Sequence, residues 1–84
     1  MKQPKPTEQN TVTFWSIPEI FEKERKGLKP NTVRYFNNIE PKFTMLKERK
    51  AKFIQIECKG KFYKGFIRKI KDVTYWKKLV IISW

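Results

Sequence analysis

The feature that most constrains this chain is a short helical segment that lies between stretches of strand composition. Ser16 and Glu19 have the spacing of a capping box, in which the hydroxyl binds a backbone amide and the carboxylate reaches back to the cap. Pro18 suits the first helical turn, because its missing N–H would have no partner there. Gly27 is typical of the residue that follows a helix end. The pattern predicts a helix spanning about 17–26.

Five other segments have the composition or the alternation of β-strands, and they lie at residues 11–15, 32–36, 52–58, 61–73 and 79–82. Lys59-Gly60 predicts a tight hairpin turn, and Gly65 predicts a bulge in the fourth strand. The continuous apolar run at 79–82 predicts a strand that is buried on both faces. Residues 40–51 are compatible with a short helix or a loop.

The order of these elements predicts an α+β fold. A flat sheet would leave the aromatic residues, which are 15% of the chain, half exposed. We therefore expect a small five-stranded curved sheet or a small β-barrel, with one N-terminal helix. The polar, proline-containing residues 1–10 predict a flexible basic tail, and residues 11–84 predict a single α+β domain.

The distribution of charge points to a polyanionic partner. The net charge is +12, from 20 Lys and Arg residues against 8 Asp and Glu residues. Residues 1–40 carry a net charge of +2, and residues 41–84 carry a net charge of +10. An excess concentrated in one half of a chain is typical of a surface that binds phosphates. The alternative is a lysine-rich surface that only keeps a small aromatic-rich domain in solution.

Several classes of site are excluded by composition. Cys58 is the single cysteine, and the chain contains no histidine. An internal disulfide, a Cys- or His-based metal site and histidine acid–base catalysis are therefore excluded, and we expect no metal and no cofactor. The longest apolar run covers only 79–82, so neither a signal peptide nor a membrane span is predicted. The expectation is a cytoplasmic protein with no membrane partner.

One segment, from Gly27 to Arg34, combines groups that bind anions. Lys29 supplies a point charge, while Thr32 and Arg34 project from one face of the predicted second strand and supply a hydroxyl and a guanidinium fork. Such a cluster at the rim of a sheet can hold a phosphate or the edge of a base. A purely structural role is the alternative, in which Gly27 ends the helix and Arg34 pairs with a glutamate of that helix.

The same segment resembles the signature of ASCH domains, small β-barrels related to the PUA fold, in which a helix precedes Gly-x-Lys-x-x-(Glu/Thr)-x-Arg. Gly27, Lys29, Thr32 and Arg34 have that spacing, and the resemblance covers roughly residues 11–36. It implies a trimmed PUA-like β-barrel that binds RNA beside the motif. Two departures are the short chain and the lack of the usual Gly-Asp turn after the motif. The lysine-rich composition also resembles that of small phage or prophage proteins of low-GC bacteria.

The resemblance carries an enzymatic alternative. Some compact ASCH members are amidohydrolases that act on acylated cytidine nucleosides with a lysine, a threonine and a distant glutamate. Lys29 and Thr32 match the first two positions, and Glu57 is the candidate for the third because of its place on a predicted strand. The implied catalytic set is Lys29, Thr32 and Glu57. An ion pair between Glu57 and a neighbouring lysine is the structural alternative.

The leading prediction is a small nucleic-acid-binding module, for RNA above all, without catalytic activity. Its predicted contacts are the motif residues and the cations of the C-terminal half: Lys29, Thr32, Arg34, Arg49, Lys50, Lys52, Lys59, Lys61, Lys64, Arg68, Lys69 and Lys71. Exposed aromatic rings would stack on bases, with Tyr35, Tyr63 and Trp76 as candidates. The positive net charge is equally compatible with a third interpretation, in which the chain is a phage interaction protein that binds an acidic host protein.

Overall fold

The structure is a computed structural model that describes residues 5–37, 39–58 and 65–84. Its elements, in chain order, are β1 (Thr11–Ser16), α1 (Pro18–Arg25), β2 (Asn31–Tyr35), α2 (Pro41–Lys47), β3 (Phe53–Cys58), β4 (Phe66–Lys69), β5 (Asp72–Trp76) and β6 (Leu79–Ser83). The predicted α+β class is confirmed, and strands predominate. The described residues contain six strands and two helices, which corrects the prediction of five strands and one helix.

The strands form two three-stranded sheets. The first has the order β1-β3-β4, in which β1 runs parallel to β3 and β4 runs antiparallel to it. The second has the order β2-β6-β5, and both of its pairings are antiparallel. Because β1 belongs to one sheet and β2 to the other, α1 connects the two sheets. Within the described residues the strands form no closed barrel.

The core draws buried side chains from both sheets and both helices. Strands β1, β3 and β6 contribute alternate residues: Val12, Phe14, Ile54, Ile56, Val80 and Ile82. The helices contribute Phe21 from α1 and Phe43 and Leu46 from α2. The ring of Phe43 meets that of Phe14 edge-on, with 5.8 Å between centroids, so α2 packs on the first sheet. No helix of the described part is long and apolar enough to cross a membrane.

The capping-box prediction is wrong. Helix α1 has Ile17 as its N-cap and no side-chain hydrogen bond at the cap. Ser16 is instead the last residue of β1, and its hydroxyl donates to the carboxylate of Glu24 at 2.6 Å. The carboxylate of Glu24 has replaced the local capping partner of Ser16. Glu24 has no exposed surface, so its carboxylate needs a hydrogen-bond donor from within the protein.

The predicted end of α1 is confirmed. Gly27 has φ 81°, the left-handed conformation that glycine adopts without steric cost. Its N–H donates to the carbonyl of Glu24 at 3.3 Å, and the N–H of Leu28 donates to the carbonyl of Lys23 at 2.9 Å. This pair of bonds is the Schellman arrangement, which satisfies the last carbonyls of a helix.

Residues 40–51, whose sequence is compatible with a short helix or a loop, contain α2 and its C-terminal turn. The turn has the same Schellman pattern: the N–H of Arg49 donates to the carbonyl of Leu46 at 3.2 Å, and that of Lys50 to the carbonyl of Met45 at 2.9 Å. Arg49 occupies the position that Gly27 has in α1, with φ 60°. An arginine therefore stands where glycine is usual.

The C-terminal strands need two further corrections. β6 buries Val80 and Ile82 but leaves Leu79 half-buried, so it has one core face and not two. The predicted strand 61–73 is two strands in its described part, because the chain passes from the first sheet to the second between β4 and β5. Gly65 precedes β4, and a Cβ there would overlap the carbonyl of Ile56, so close approach of the backbones requires glycine. The predicted turn at Lys59-Gly60 lies outside the described residues.

Candidate nucleic-acid interface

Five cationic side chains from separate parts of the chain line one groove of about 540 Å³: Lys47, Arg49, Lys52, Lys69 and Lys71. Asp72 is the one acidic residue among the described residues that line it. We call this surface, together with Tyr75, the basic groove. Its balance of charge favours an anionic ligand, because concave surfaces of one sign concentrate the opposite ion.

Backbone hydrogen bonds hold the segments of the basic groove against each other. The N–H of Lys52 donates to the carbonyl of Asn10 at 2.7 Å, and the N–H of Ile70 donates to the carbonyl of Lys52 at 2.9 Å. The N–H of Lys71 donates to the carbonyl of Ser83 at 2.8 Å. The bond from Ile70 to Lys52 thereby fixes the loop before β3 beside the link between β4 and β5, and lysines of both segments line the groove.

None of the five cations forms an ion pair with an acidic residue in the described part of the chain. The ion pairs of the described residues use other cations, namely Arg25, Lys26, Lys29, Lys42 and Lys50. The carboxylate of Asp72 accepts a hydrogen bond from the hydroxyl of Thr74 at 2.7 Å. The positive charge of the groove is thus left available to a ligand.

The floor of the basic groove is apolar, and one aromatic ring lies beside it. Leu46 and Ala51 are buried there, and Ile70 and Val73 are half-buried. Tyr75 lines the groove with 46% of its surface exposed. Partial burial raises the pKa of the Tyr75 hydroxyl above its ordinary value, so the ring is neutral at physiological pH.

A second cleft, of about 390 Å³, lies beside the segment from Gly27 to Arg34. Its polar lining consists of Ser16, Lys29, Thr32 and Arg34, and its apolar lining consists of Trp15, Ile17, Ile20 and Val33. We call this surface the motif cleft. The three motif residues lie together in it, and Ser16 joins them from the end of β1.

A buried carboxylate organises the polar wall of the motif cleft. Glu24 of α1 accepts the hydrogen bond from Ser16 with its Oε1 atom. Its Oε2 atom has no hydrogen-bond partner among the described residues, and the ammonium of Lys29 lies 3.6 Å from it. That ammonium also donates to the carbonyl of Asn31 at 2.8 Å. Glu24 therefore balances one of the two positive charges of the cleft.

Arg34 is held in place by three hydrogen bonds. Its Nε donates to the hydroxyl of Thr32 at 2.9 Å, Nη1 to the carbonyl of Trp15 at 2.8 Å, and Nη2 to the hydroxyl of Ser16 at 3.0 Å. Burial lowers the pKa of the guanidinium, and the nearby charge of Glu24 opposes that shift. Arg34 thus ties β2 to the end of β1, and only part of its fork is free for a ligand.

The predicted nucleic-acid contacts fall into separate groups. The basic groove contains Arg49, Lys52, Lys69 and Lys71, and the motif cleft contains Lys29, Thr32 and Arg34. Lys50 and Arg68 line neither surface: Lys50 pairs with Glu48 at 2.8 Å, and the guanidinium of Arg68 lies over the ring of Phe66 at 4.8 Å. Lys59, Lys61 and Lys64 lie outside the described residues.

Glu57, the third residue of the implied catalytic set, does not line the motif cleft. It lies on β3, where the side-chain amide of Gln55 donates to its carboxylate at 3.3 Å. The structure does not bring Glu57 together with Lys29 and Thr32. The carboxylate beside Lys29 is that of Glu24.

Two of the three aromatic residues expected to stack on bases lie away from both surfaces. Tyr35 and Trp76 are exposed by 78% and 58%, but neither lines the basic groove or the motif cleft. The ammonium of Lys77 lies 4.7 Å from the centre of the Trp76 ring. Tyr63 lies outside the described residues. The ring that the groove presents is that of Tyr75.

Sequence reasoning missed four polar or aromatic residues at these sites, namely Lys47, Tyr75, Glu24 and Ser16, of which Ser16 was predicted only as a helix cap. Glu24 follows Phe21 by three residues on α1, so helical spacing already places it on the buried face. Tyr75 shares a strand face with Val73, which the period of two in a β-strand indicates. Lys47 lies two residues before Arg49, which sequence reasoning did place at the surface, so the basic character of this segment was the signal that could have found it.

Comparison of the chain with protein-family models, with curated proteins and with solved structures found no match in any of the three. The described residues also contain no group of three or more His, Cys, Asp or Glu side chains that could hold a metal ion. The function is therefore inferred from the two surfaces themselves.

Proposed function

We propose that this protein binds a nucleic acid, RNA in the first place, through the basic groove. The supporting observation is that five cations, none of them ion-paired in the described part of the chain, line one groove with a single carboxylate. Cations that neutralise phosphates release condensed counterions, and this release supplies most of the affinity for a polyanion.

RNA is preferred over DNA because of the resemblance to ASCH domains around Gly27 to Arg34. The trimmed PUA-like barrel that this resemblance implies stays a prediction. A cytoplasmic location, where RNA is abundant, also stays a prediction.

Salt dependence tests the proposal. The purified protein is titrated with fluorescent RNA, single-stranded DNA and duplex DNA at several salt concentrations. Each phosphate contact contributes about 0.7 to the slope of log K against log[salt] for a single strand, and about 0.9 for duplex DNA. Five contacts predict a single-strand slope of about −3.5. Absence of binding at low salt, or a slope near zero, would remove the proposal.

A pair of charge-matched variants locates the binding surface. Lys69→Gln/Lys71→Gln removes two cations from the basic groove and is expected to reduce the single-strand slope by about 1.4. Lys23→Gln/Lys78→Gln removes the same charge from exposed positions that do not line the groove. Equal losses in the two variants would mean that bulk charge, and not the groove, binds the polyanion. Affinity for polyglutamate with none for nucleic acid would favour the acidic-protein alternative.

A second candidate function, amide hydrolysis, is favoured by the position of Glu24. Its Oε2 atom lies 3.6 Å from the ammonium of Lys29, and Lys29 and Thr32 line a cleft of about 390 Å³, which suits a small heterocyclic substrate. In this proposal Glu24, which is buried behind the cleft and does not line it, takes the place of Glu57 as the carboxylate paired with Lys29.

Hydrolysis is tested with an acylated cytidine nucleoside and detection of released cytidine. We expect Lys29→Met and Glu24→Gln to abolish the release if the motif cleft is the site. The basic-groove variant Lys69→Gln/Lys71→Gln serves as the control, because its residues do not line that cleft. Failure of the unmodified protein to release cytidine would eliminate this candidate and leave nucleic-acid binding untouched.

A further inference from the structure

We propose that the basic groove binds a single strand, with one unpaired base stacked on the ring of Tyr75. This proposal rests on the proposed function, because it names the form of nucleic acid that the groove accepts and the residue that selects it. The geometric basis is that Tyr75 lines the same groove as the five cations, none of which is ion-paired in the described part of the chain.

The exposure of Tyr75 suits a stacking platform. The ring keeps 46% of its surface exposed, while Lys69 and Lys71 line the groove beside it. A single strand offers phosphates to cations and unstacked bases to an aromatic ring, and proteins that bind single strands combine these two features. In a duplex the faces of the bases are covered by their neighbours, so Tyr75 would add nothing to the binding of a duplex.

The ring of Tyr75 is also held in place by its neighbours. It meets the ring of Phe36 edge-on, with 5.8 Å between centroids and 82° between planes. Phe36 in turn packs edge-on against Phe43 at 5.6 Å, and Phe43 is buried in the core. A ring that is already immobilised loses little conformational entropy when a base stacks on it.

Among the residues that the structure describes, Trp76 is an exposed ring that lacks this combination. Trp76, the next residue on β5, is 58% exposed but does not line the groove, and the ammonium of Lys77 covers its ring at 4.7 Å. Trp76 is therefore a matched control: an exposed aromatic residue on the same strand, outside the proposed site.

The test compares three ligands and three variants. The ligands are a fluorescent octauridine RNA, an RNA duplex of comparable length and inorganic polyphosphate, which carries charge without bases. The variants are Tyr75→Leu, which removes the ring, Tyr75→Phe, which keeps it, and Trp76→Leu as the control. Thermal melting of each variant establishes that it is folded at the temperature of the titration.

We expect Tyr75→Leu to weaken octauridine binding by about 5- to 150-fold, the range for loss of one stacked base. Binding of polyphosphate and of the duplex should change by less than about twofold, because neither ligand stacks on the ring. Tyr75→Phe and Trp76→Leu should both bind octauridine as the unmodified protein does. An equal loss for polyphosphate, or no loss for octauridine, would overturn the proposal.

Cross-linking of the unmodified protein gives a second measurement that does not depend on any variant. An octanucleotide containing 4-thiouridine is irradiated with the protein, and the adduct is located by mass spectrometry. An adduct at Tyr75 supports the proposal, and adducts confined to Trp15 of the motif cleft or to Trp76 overturn it. Binding of nucleic acid without any role for Tyr75 refutes only this inference, whereas absence of binding to every nucleic acid refutes the proposed function as well.

Discussion

Ser16 shows how a single residue is used when local and tertiary partners compete. Its spacing from Glu19 is that of a capping box, yet its hydroxyl donates to Glu24 and accepts a hydrogen bond from Arg34. A hydroxyl that serves a fully buried carboxylate contributes more than one at an exposed helix end, because the carboxylate has no access to water.

We expect Ser16→Ala to lower the free energy of unfolding by about 1–3 kcal/mol, the cost of leaving a buried polar group without its partner. Urea denaturation of the two proteins measures the difference. The partner is identified by repeating the change in a Glu24→Leu background, where Ser16→Ala should cost much less. A cost that is the same in both backgrounds would mean that Ser16 stabilises the fold through a partner other than Glu24.

Arg49 adopts a backbone conformation that glycine adopts more easily. Its φ of 60° lies in the left-handed region, which is strained for a residue with a Cβ. The same residue lines the basic groove. A strained residue at a proposed binding surface suggests that its side chain is kept for the ligand at some expense of stability.

Replacement of Arg49 is therefore expected to change stability and binding in opposite directions. Arg49→Gly should raise the free energy of unfolding by up to about 1 kcal/mol through relief of the left-handed strain, and should weaken RNA binding through loss of a cation. Arg49→Ala loses the same charge and keeps the strain, so it should weaken binding equally without the gain in stability. Melting curves and titrations of both variants check this. Unchanged RNA affinity in both would exclude Arg49 from the site.

At the scale of elements, α2 depends on polar residues that precede it. The side-chain oxygen of Asn37 accepts hydrogen bonds from the N–H groups of Ile39 at 3.0 Å and Glu40 at 2.9 Å. The amide of Asn37 donates to the carboxylate of Glu40 at 3.1 Å, and the ammonium of Lys42 lies 3.2 Å from it. These contacts hold the entry to the helix that carries Lys47 into the basic groove.

The Asn37 hydrogen bond and the Lys42 ammonium lower the pKa of Glu40 below its ordinary value of 4.5. A carboxyl whose pKa is lower in the folded than in the unfolded state stabilises the fold above the unfolded pKa, and this contribution is lost as pH falls through the folded pKa. The melting temperature should therefore fall less steeply below about pH 4.5 in Glu40→Gln than in the unmodified protein. Parallel curves for the two proteins would show that Glu40 does not contribute.

At the scale of the whole molecule, the net charge of +12 on 84 residues opposes folding through self-repulsion. The surface ion pairs, such as that of Lys50 with Glu48 at 2.8 Å, offset little of this repulsion, because solvent screens the attraction between exposed charges. Collecting cations in one groove concentrates the repulsion there, and a bound polyanion would relieve it.

Salt should consequently act on stability and on binding with opposite signs. Raising the ionic strength from about 0.01 M to about 0.15 M shortens the Debye length from about 30 Å to about 8 Å. The melting temperature of the free protein is expected to rise, because repulsion is screened, while affinity for RNA falls. Differential scanning fluorimetry across this range checks the first effect. A melting temperature that falls with salt would mean that attractive ion pairs outweigh the repulsion.

The amino-acid sequence by itself determined what depends on neighbours along the chain. The end of α1 at Gly27 follows from the conformational freedom of glycine, and β3 follows from the alternation of residues 52–58. The concentration of cations after residue 40 is likewise a property of composition alone. Such signals act over a few residues, so they are present in the chain before it folds.

The tertiary structure decided everything that joins distant residues. The parallel pairing of β1 with β3 has no local signal, because alternation shows which face of a strand is buried and not which strand lies beside it. The bond between Ser16 and Glu24 exists only because the end of β1 packs against α1. The basic groove likewise sets the segment of Lys47 and Lys52 beside that of Tyr75, and only packing between parts of the chain that are distant in sequence brings these two segments together.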